Sequence, residues 1–215
     1  LITTGISGIK LKRQLNDLDD DFFFNTLDSI LNTSKYLSNT IDDFRYFFKP
    51  QKEKENFYLE KCCKKTIDLM NPNFLNKDIK ITYAIENIEV YGYETELIQV
   101  LINILNNSKD ALELLNEDEK LIFINIFRKN DEAIIEIKDN AGGINEDILD
   151  KIFEPYFTTK HQTQGTGIGL FMCKEIINKH MNGEINILNE DFEYKNKIYK
   201  GTLTQITLKN IIKNV

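Results

Sequence analysis

The sequence has few cysteine and histidine ligands for a zinc centre and no long apolar run for a membrane span. Its 215 residues include only three cysteines, Cys62, Cys63 and Cys173, and two histidines, His161 and His180. The adjacent Cys62 and Cys63 lack the C-x-x-C spacing of zinc sites, which argues against a zinc centre. The odd cysteine count, with no disulfide framework, favours a reducing compartment, and we expect a cytoplasmic protein. No apolar run reaches the roughly 18 residues that a transmembrane helix needs.

Positive charge is also scarce, and the chain has no initiator methionine. Lys and Arg total 27 against 34 Asp and Glu, for a formal net charge of −7. This acidic balance argues against binding along a nucleic-acid backbone, but it leaves room for a local site for a small anion. Because the sequence begins with Leu1, we expect a fragment of a longer protein, and any anchor in the inner membrane would lie in other segments.

The first 50 residues have the pattern of a helical hairpin. Residues 21–50 repeat at alternating steps of three and four, the spacing of a helix in a coiled coil or bundle. The seam consists of Leu27, Ile30, Ser34, Leu37, Ile41, Phe44 and Phe48. Pro50 and the charged residues after it end this helix, and residues 1–15 predict a second, shorter helix. A two-helix hairpin cannot bury its seam alone, so we expect a homodimer through a four-helix bundle.

Residues 51–215 alternate between helix and strand patterns. The hydrophobic spacing predicts helices at 57–70, 94–115 and 171–180. Alternating apolar residues predict strands at 80–86, 121–128, 133–138, 184–188 and 203–208. Helices on one face of a mostly antiparallel sheet give an α+β domain, a two-layer α/β sandwich.

The predicted helix at 94–115 carries two asparagines, Asn103 and Asn107, one turn apart on a largely apolar face. An amide oxygen is a suitable ligand for Mg²⁺, which prefers oxygen and uses few protein ligands. The alternative is that both asparagines lie at the edge of the apolar stripe in an asparagine-rich chain. The spacing alone does not separate the two interpretations.

A second candidate, the sequence DNAGGI at 139–144, directly follows a predicted strand. It would place the carboxylate of Asp139 beside glycine backbone that a ligand can approach closely. Such a carboxylate accepts a hydrogen bond from an exocyclic amine, which distinguishes adenine from guanine. An ordinary turn with glycine in the left-handed region is the alternative.

Two more segments have the character of a phosphate-binding loop and its lid. GTGIGL at 165–170 has three glycines at alternate positions and opens the helix at 171–180, whose first N–H groups favour an anion. IFEPYFTTK at 152–160 offers Phe153 and Phe157 as anchors of a mobile nucleotide lid, or it is a surface loop with two buried aromatics. The Walker A sequence does not occur.

The motifs in this order resemble the N, G1, F and G2 boxes of the sensor histidine kinases of two-component systems. The four segments are QVLINILNNSKDAL at 99–112, DNAGGI at 139–144, IFEPYFTTK at 152–160 and GTGIGL at 165–170. The resemblance covers about residues 57–209 and implies the Bergerat ATP-binding fold of the GHKL ATPase superfamily. The helices before it resemble the dimerisation and phosphotransfer hairpin, so we expect domains at 1–50 and 51–215.

The resemblance implies ATP and Mg²⁺ as ligands and a role for each matching position. It implies that Asn107 binds Mg²⁺, that Asn103 lies close to the phosphates, and that both act in catalysis. It also implies that Asp139 binds adenine, with Gly143 beneath the base and Thr202 supporting the pocket. The triphosphate would be lined by Gly165, Thr166, Gly167, Gly169 and Leu170, and by Lys160 unless that lysine is only solvated.

Three features depart from the family pattern. Ala141 replaces the first G1 glycine, and Asp110 replaces a basic residue that many members carry after the N-box asparagine. The phosphoacceptor histidine of the H box is missing, because His161 falls in the lid and His180 in the last turn of a predicted helix. We therefore expect this fragment to bind ATP without phosphorylating itself.

The resemblance favours the kinase core of a sensor histidine kinase, which passes the γ-phosphoryl group of Mg-ATP to a histidine for relay to a response-regulator aspartate. Gyrase, chaperone and mismatch-repair relatives carry a glutamate general base where this chain has Asn103, which disfavours an ATPase of the same fold. A nucleotide-binding dimerisation or regulatory module without turnover is a second alternative. The expected partners are a second copy of the chain and the receiver domain of a response regulator.

Overall fold

The computed structural model describes residues 1–48, 53–115, 119–160 and 165–212, with the backbone alone at 35, 36 and 39–48. The chain forms two compact units: one combines Leu1–Pro50 with Glu154–Gly169, and the other combines Gln51–Phe153 with Leu170–Val215. No helix within the described ranges is both long enough and apolar enough to cross a membrane.

The first unit contains the helical hairpin that the hydrophobic spacing predicts. Helix α1 spans Ile2–Gln14 and helix α2 spans Asp20–Phe48. Asp19 caps α2, because its carboxylate accepts the N–H of Phe22 at 2.7 Å. This hydrogen bond, with Lys12 lying 3.5 Å away, lowers the pKa of Asp19. The hairpin is therefore fixed by a cap at the turn as well as by its apolar contacts.

The hairpin exposes many large apolar side chains. They are Leu1, Ile6, Leu11, Leu15, Phe24, Leu31 and Leu37. Of the predicted seam, Leu37 is among the exposed residues. The side chains of Ile41, Phe44 and Phe48, together with Pro50, lie outside the described part of the chain.

The second unit mixes strands and helices. In chain order they are β1 (Glu55–Tyr58), α3 (Leu59–Leu75), β2 (Ile79–Ile85), β3 (Glu89–Gly92), α4 (Glu94–Glu113), β4 (Lys120–Lys129), β5 (Glu132–Asp139), α5 (Glu146–Leu149), α6 (Gly169–Glu175), a π-helical turn (Ile176–His180), β6 (Gly183–Tyr194) and β7 (Lys197–Leu208). The predicted helix at 94–115 and the predicted strands at 121–128 and 133–138 are confirmed to within one or two residues at each end.

Five of these strands form one mixed sheet in the order β2-β4-β5-β7-β6. β2 pairs with β4 in parallel, and every other neighbouring pair in this sheet is antiparallel. Helices α3, α4 and α6 pack on one face, where buried residues such as Leu101 and Cys173 meet Ile124 and Ile206 of the strands. Each large apolar side chain buried in this layer stabilises the fold by roughly 1.5–3 kcal/mol. The predicted fold class, an α+β two-layer sandwich, is confirmed.

The prediction of a single helix over 57–70 is wrong at both ends. Phe57 lies in β1, where it pairs with Val90 of β3, and the helix runs from Leu59 to Leu75. Neither strand of this two-stranded sheet is predicted from the sequence. Each has four residues, which is too short for an alternating pattern to stand out.

The helix predicted at 171–180 changes its geometry partway along. It is α-helical over Gly169–Glu175 and continues as a π-helical turn over Ile176–His180. The apolar spacing does not separate these two geometries, because both bury Ile176 and Ile177 against the sheet. Only the backbone hydrogen bonds distinguish an α-helical turn from a π-helical one.

The last two strands are longer than the predicted ranges 184–188 and 203–208. β6 and β7 pair continuously from Gly183 with Leu208 to Tyr194 with Lys197. Asn196 turns the hairpin with a φ of 62°, the left-handed conformation of tight hairpin turns. Near the turn, charged residues alternate with the aromatic residues Phe192, Tyr194 and Tyr199, of which Phe192 stacks on Tyr199. The added length carries β6 and β7 past the end of β5, where the candidate site lies.

Candidate functional site

Strand β5 ends on a buried carboxylate. Asp139 exposes only 4% of its surface. Its Oδ1 accepts the N–H of Ala141 at 3.0 Å and that of Thr202 at 3.2 Å, and its Oδ2 accepts the hydroxyl of Ser108 at 2.8 Å. Burial raises the pKa of Asp139, while these three donors oppose the rise. Since an ionised carboxylate accepts about four hydrogen bonds, the three leave capacity for a ligand.

Ser108 joins this carboxylate to helix α4. It is buried, and it lies on the apolar stripe of the helix between Ile104 and Leu112. Ser108 is not among the residues predicted from the sequence, although a serine at a core position of an amphipathic helix indicates a buried polar contact. Its hydrogen bond brings the helix that carries Asn103 and Asn107 to the end of β5. Two candidate segments that are distant in the sequence therefore lie next to each other in the fold.

Asn103 and Asn107 both lie on α4 with half-buried side chains, as the predicted spacing requires. In the described part of the chain, no group of three or more His, Cys, Asp or Glu side chains could hold a metal ion. The amide oxygens of Asn103 and Asn107 are among the oxygen donors that α4 offers. Asp110, which departs from the family pattern, has the ammonium group of Lys109 at 3.3 Å. This turn of α4 therefore carries its positive charge at Lys109, one residue before Asp110.

The loop after Asp139 contains two glycines in the left-handed region. Gly142 has a φ of 87° and Gly143 a φ of 83°. A Cβ on Gly142 would meet no atom within 4 Å, so this glycine borders open space. A Cβ on Gly143 would lie 2.6 Å from Oδ1 of Asn189. Glycine at 143 thus makes room for a protein side chain, and its position beneath a base stays a prediction.

Two asparagine amides hold this loop at its two ends. Asn140, which is 3% exposed, accepts the N–H of Leu121 and donates to the carbonyl of Glu119, both at 2.8 Å. Asn189, on β6, accepts the N–H of Ile144 and donates to the carbonyl of Ile144, both at 2.7 Å. Each amide pairs with the backbone as another peptide group would. Neither contact is predicted from the sequence.

Strand β7 passes closely against the end of β5. A Cβ on Gly201 would lie 1.7 Å from the carbonyl oxygen of Asp139, so only glycine fits unless the two segments separate. The approach is held by the Thr202 N–H on Asp139 and by the Gly142 N–H, which donates to the carbonyl of Lys200 at 3.0 Å. Thr202 therefore lies beside Asp139, and the group it contributes there is its backbone N–H.

The predicted lid glycines belong to the first unit, where they pack against their own segment. Gly167 has a φ of 66°, and a Cβ there would lie 2.4 Å from the carbonyl carbon of Tyr156. A Cβ on Gly165 would lie 2.5 Å from the hydroxyl oxygen of Thr158. Close packing of the loop on itself accounts for both glycines. Their contact with a triphosphate stays a prediction.

The remaining lid positions are polar or lie where the loop meets a helix. Thr166 accepts the N–H of Ile168 at 3.3 Å through its hydroxyl, and the backbone N–H of Lys160 donates to the Thr158 hydroxyl at 3.1 Å. Gly169 is the first residue of α6, as predicted for the start of that helix, and Leu170 follows it, half-buried. The binding roles of these four predicted residues stay predictions.

His180 ends the π-helical turn and is paired with a carboxylate. Its Nδ1 lies 2.8 Å from Oε2 of Glu96, and its ring meets that of Tyr93 edge-on, with centroids 6.1 Å apart. The imidazole is thus held against the start of α4. His161 lies outside the described residues.

Comparison with known proteins identifies the family. Residues 92–211 match the family described as histidine kinase-, DNA gyrase B-, and HSP90-like ATPase. Sporulation kinase E of Bacillus subtilis (strain 168) is 33% identical over 210 residues, which cover 95% of this chain and 26% of that protein. The chain therefore spans about a quarter of the length of this relative.

Solved structures agree with the sequence match. The catalytic domain of histidine kinase ThkA is 26% identical, with a TM-score of 0.60 over 73% of this chain and 95% of that one. Histidine kinase ThkA in complex with response regulator protein TrrA has the same fold, at 22% identity and a TM-score of 0.68 over 96% of this chain and 58% of that one. The resemblance found in the sequence motifs is confirmed for family and fold. The chain belongs to the histidine kinase-, DNA gyrase B- and HSP90-like ATPase family.

Proposed function

We propose that this chain is the ATP-binding core of a sensor histidine kinase. The γ-phosphoryl group of Mg-ATP passes to a histidine and then to an aspartate of a response regulator. The observation that carries the proposal is the buried carboxylate of Asp139, which α4 contacts through Ser108 and β7 contacts through Thr202. Three elements that are distant in the sequence converge on one acceptor suited to the exocyclic amine of adenine.

Recognition of the base follows from the chemistry of this acceptor. The carboxylate of Asp139 accepts a hydrogen bond from the amine of adenine, whereas guanine presents a carbonyl oxygen at the same edge and is repelled. The bond is strong because the acceptor is charged and lies in a buried environment of low dielectric constant. Gly142 and Gly143 carry no side chain, so the base can lie against the backbone of their loop.

The donor chemistry of α4 fits Mg²⁺. This ion prefers oxygen ligands, keeps several waters, and takes one or two ligands from protein where phosphates supply others. The amide oxygen of Asn107 is such a ligand, next in sequence to the serine that contacts Asp139. When bound, Mg²⁺ neutralises the charge of the phosphates. Asn103, one turn earlier on α4, holds the phosphates.

Asn103 also favours a kinase over an ATPase of the same fold. Hydrolysis needs a general base that removes a proton from the attacking water, and an amide does not accept a proton at neutral pH. With Asn103 in this position the domain does not activate water, so the phosphoryl group is kept for another nucleophile. The triphosphate contacts of Lys160, Gly165, Thr166, Gly167, Gly169 and Leu170 belong to the same proposal.

The metal assignment is tested by Asn107→Ala. We expect Mg-ATP to bind about tenfold more weakly or worse, because an oxygen ligand of the ion is lost, while ATP in excess chelator binds as it does to the wild type. Isothermal titration with and without Mg²⁺ measures both values. The control is Asn106→Ala, the same change one residue earlier, which should leave both values unchanged.

Two results would contradict these assignments in different ways. If Asn107→Ala kept the wild-type dependence on Mg²⁺, the metal ligand would be wrongly assigned. If the wild-type chain bound no ATP in the presence of Mg²⁺, the kinase core itself would be wrongly assigned.

A homodimer through the hairpin is part of the proposal. The support is the set of apolar side chains that a single hairpin leaves exposed, Leu37 of the seam among them. Analytical ultracentrifugation should give a dimer, and Leu37→Asp should raise its dissociation constant at least about tenfold, because each protomer would bury a charge in place of an apolar side chain. Ser38→Asp, at the exposed neighbouring position, should not. A wild-type monomer at high concentration would contradict the dimer.

The partner and the location follow from the same proposal. ThkA forms a complex with the response regulator protein TrrA, and this supports a receiver domain as the phosphoryl acceptor of this kinase. The cysteine pattern supports a place in the cytoplasm for this part of the protein.

A further inference from the structure

Asn189 of β6 reaches the loop that follows Asp139 and binds its far end. The amide accepts the N–H of Ile144 and donates to the carbonyl of Ile144, each at 2.7 Å. The side-chain amide of asparagine has an acceptor oxygen and a donor NH₂ group, spaced as in a peptide group. The two residues are 45 positions apart in the sequence, so the loop is held by a distant strand and not only by its own turn.

The loop 140–144 needs a stabilising contact because it contains two adjacent glycines, Gly142 and Gly143. Glycine loses more conformational freedom on ordering than any other residue, so a Gly142–Gly143 pair by itself would occupy many conformations. The backbone at Gly143 approaches the Asn189 amide so closely that a Cβ would lie 2.6 Å from Oδ1. The Asn189 amide can therefore occupy its position only because residue 143 has no side chain.

The contact between Asn189 and Ile144 completes a closed series of links, through the backbone and through hydrogen bonds, that includes the carboxylate of Asp139. Asn189 is the strand partner of Thr202 in the β6–β7 hairpin. Thr202 donates its N–H to Asp139, and the chain from Asp139 leads through the glycines back to Ile144. A shift of Ile144 therefore moves the loop relative to both Asp139 and Thr202.

We propose that Asn189 is a positioning residue of the adenine site, which acts through Ile144 to fix the loop 140–144 against β6 and β7. The proposal rests on the proposed function, in which Asp139 binds adenine. Asn189 itself makes no contact with the nucleotide. Because every adenine nucleotide uses the same loop, the loss of this hold weakens ATP and ADP by the same factor and leaves the dependence on Mg²⁺ unchanged.

The test is calorimetric titration of ATP and ADP into Asn189→Ala and Asn189→Asp. The first variant removes both hydrogen bonds. The second keeps the size of the side chain but turns a carboxylate oxygen toward the carbonyl of Ile144. We expect both nucleotides to bind about five- to thirtyfold more weakly to each variant, because alanine loses two ordinary hydrogen bonds, while aspartate loses one and repels the carbonyl oxygen of Ile144. Asn186→Ala and Asn186→Asp, at an exposed position of the same strand, should bind as the wild type does.

A double-mutant cycle separates positioning from general destabilisation. Gly143→Ala should weaken ADP binding more in the wild type than in Asn189→Ala, because only the wild type has Oδ1 where the new Cβ would lie. All variants are titrated at a temperature at which circular dichroism shows them folded. If neither Asn189 variant folds, amide exchange in the wild type replaces the titration, and we expect slow exchange at Ile144 before ADP is added.

The outcomes distinguish this proposal from the function on which it rests. A wild type that binds no adenine nucleotide contradicts the proposed function. A wild type that binds ADP, with an Asn189→Ala variant that binds it within about twofold of the wild-type value, overturns the positioning role alone. Equal effects of Gly143→Ala in both backgrounds, or fast exchange at Ile144 in the nucleotide-free wild type, also overturn it.

Discussion

Asp139→Asn should abolish ATP binding without unfolding the chain. An asparagine keeps the shape of the side chain, accepts the N–H groups of Ala141 and Thr202, and donates to the hydroxyl of Ser108. It also points an N–H group at the donating amine of adenine and removes the charge. We expect affinity for Mg-ATP to fall at least about 100-fold, since a hydrogen bond to a charged group contributes about 1.5–3 kcal/mol and two facing donors repel. Isothermal titration measures this change.

The same substitution should raise the free energy of unfolding near pH 7. Burial raises the pKa of Asp139 above its ordinary value of 3.8, so ionisation is less favourable in the folded chain than in the unfolded chain. The stability contributed by the protonated carboxyl is complete below pH 3.8 and is lost as the pH rises through the raised pKa. The amide variant has no such loss. A gain of about 1 kcal/mol would raise the melting temperature by about 2–4 °C.

Nucleotide binding by the wild type should depend on pH in the opposite direction. The ionised carboxylate is the better acceptor for the amine of adenine, so affinity should weaken as the pH falls toward the raised pKa of Asp139. The loss of affinity should begin at a higher pH than it would if Asp139 had the ordinary pKa of an aspartate. Titrations across a pH series, with Asp139→Asn as the pH-independent reference, measure the effect.

Asp68→Asn is the matched control for these experiments. It makes the same change on an exposed face of α3, and neither ATP affinity nor the melting temperature should move. Wild-type affinity in Asp139→Asn would exclude this carboxylate as the adenine ligand. A melting temperature far below the wild-type value would instead make Asp139 a structural residue.

Gly201→Ala should damage both the fold and the site. The new Cβ would lie 1.7 Å from the carbonyl oxygen of Asp139 and 3.1 Å from Cα of Asn140, which are backbone atoms that no rotamer change can move. The strands must separate, and the bond from the Thr202 N–H to Asp139 is stretched or lost. We expect the free energy of unfolding to fall by at least about 3 kcal/mol, which lowers the melting temperature by about 6 °C. ATP should bind at least about tenfold more weakly.

The control for Gly201→Ala is the same substitution where space exists. A Cβ on Gly8 in α1 would lie 3.6 Å from the nearest atom of Phe22, an ordinary contact. Gly8→Ala should therefore leave stability unchanged or raise it by about 0.5–1 kcal/mol, because alanine favours the helix. A Gly201→Ala variant that melts within a degree or so of the wild type would show that β5 and β7 can move apart at little cost.

Long elements with regular spacing are predictable from this sequence, because their pattern repeats several times. Helix α4 buries Leu97, Leu101 and Leu105 at successive turns, and strands β4 and β5 alternate over most of their length. β1 and β3 are not predictable, since four residues carry almost no periodicity. The β6–β7 hairpin is predicted too short for a different reason. Charged residues crowd the part near its turn, and the aromatic side chains there, Phe192 and Tyr194, pack on Phe123 of β4, which the sequence pattern does not indicate.

The candidate site divides in a similar way. Asp139, Asn103 and Asn107 are candidates because they lie in contiguous motifs that resemble those of a known family, and their roles stay predictions. Asn189 gives no such signal. The function of a single asparagine within a strand becomes visible only in the fold, where its Oδ1 lies 2.7 Å from the backbone nitrogen of Ile144. Ser108 is intermediate: its position on the helix stripe indicates burial, but the acceptor that needs its hydroxyl is 31 residues away.

If Asp139 binds adenine as proposed, the close pairing of β7 with β5 also determines when the nucleotide can begin to bind during synthesis of the chain. Asp139 leaves the ribosome 63 residues before Thr202, its backbone donor on β7. Until β7 has emerged and paired, the growing chain has the carboxylate but not the strand that completes its surroundings. Nucleotide then stabilises only chains with the finished sheet, by about 2.7 kcal/mol at a hundred times its dissociation constant. The cell's own ATP would thus favour the last step of folding over the partly paired states that precede it.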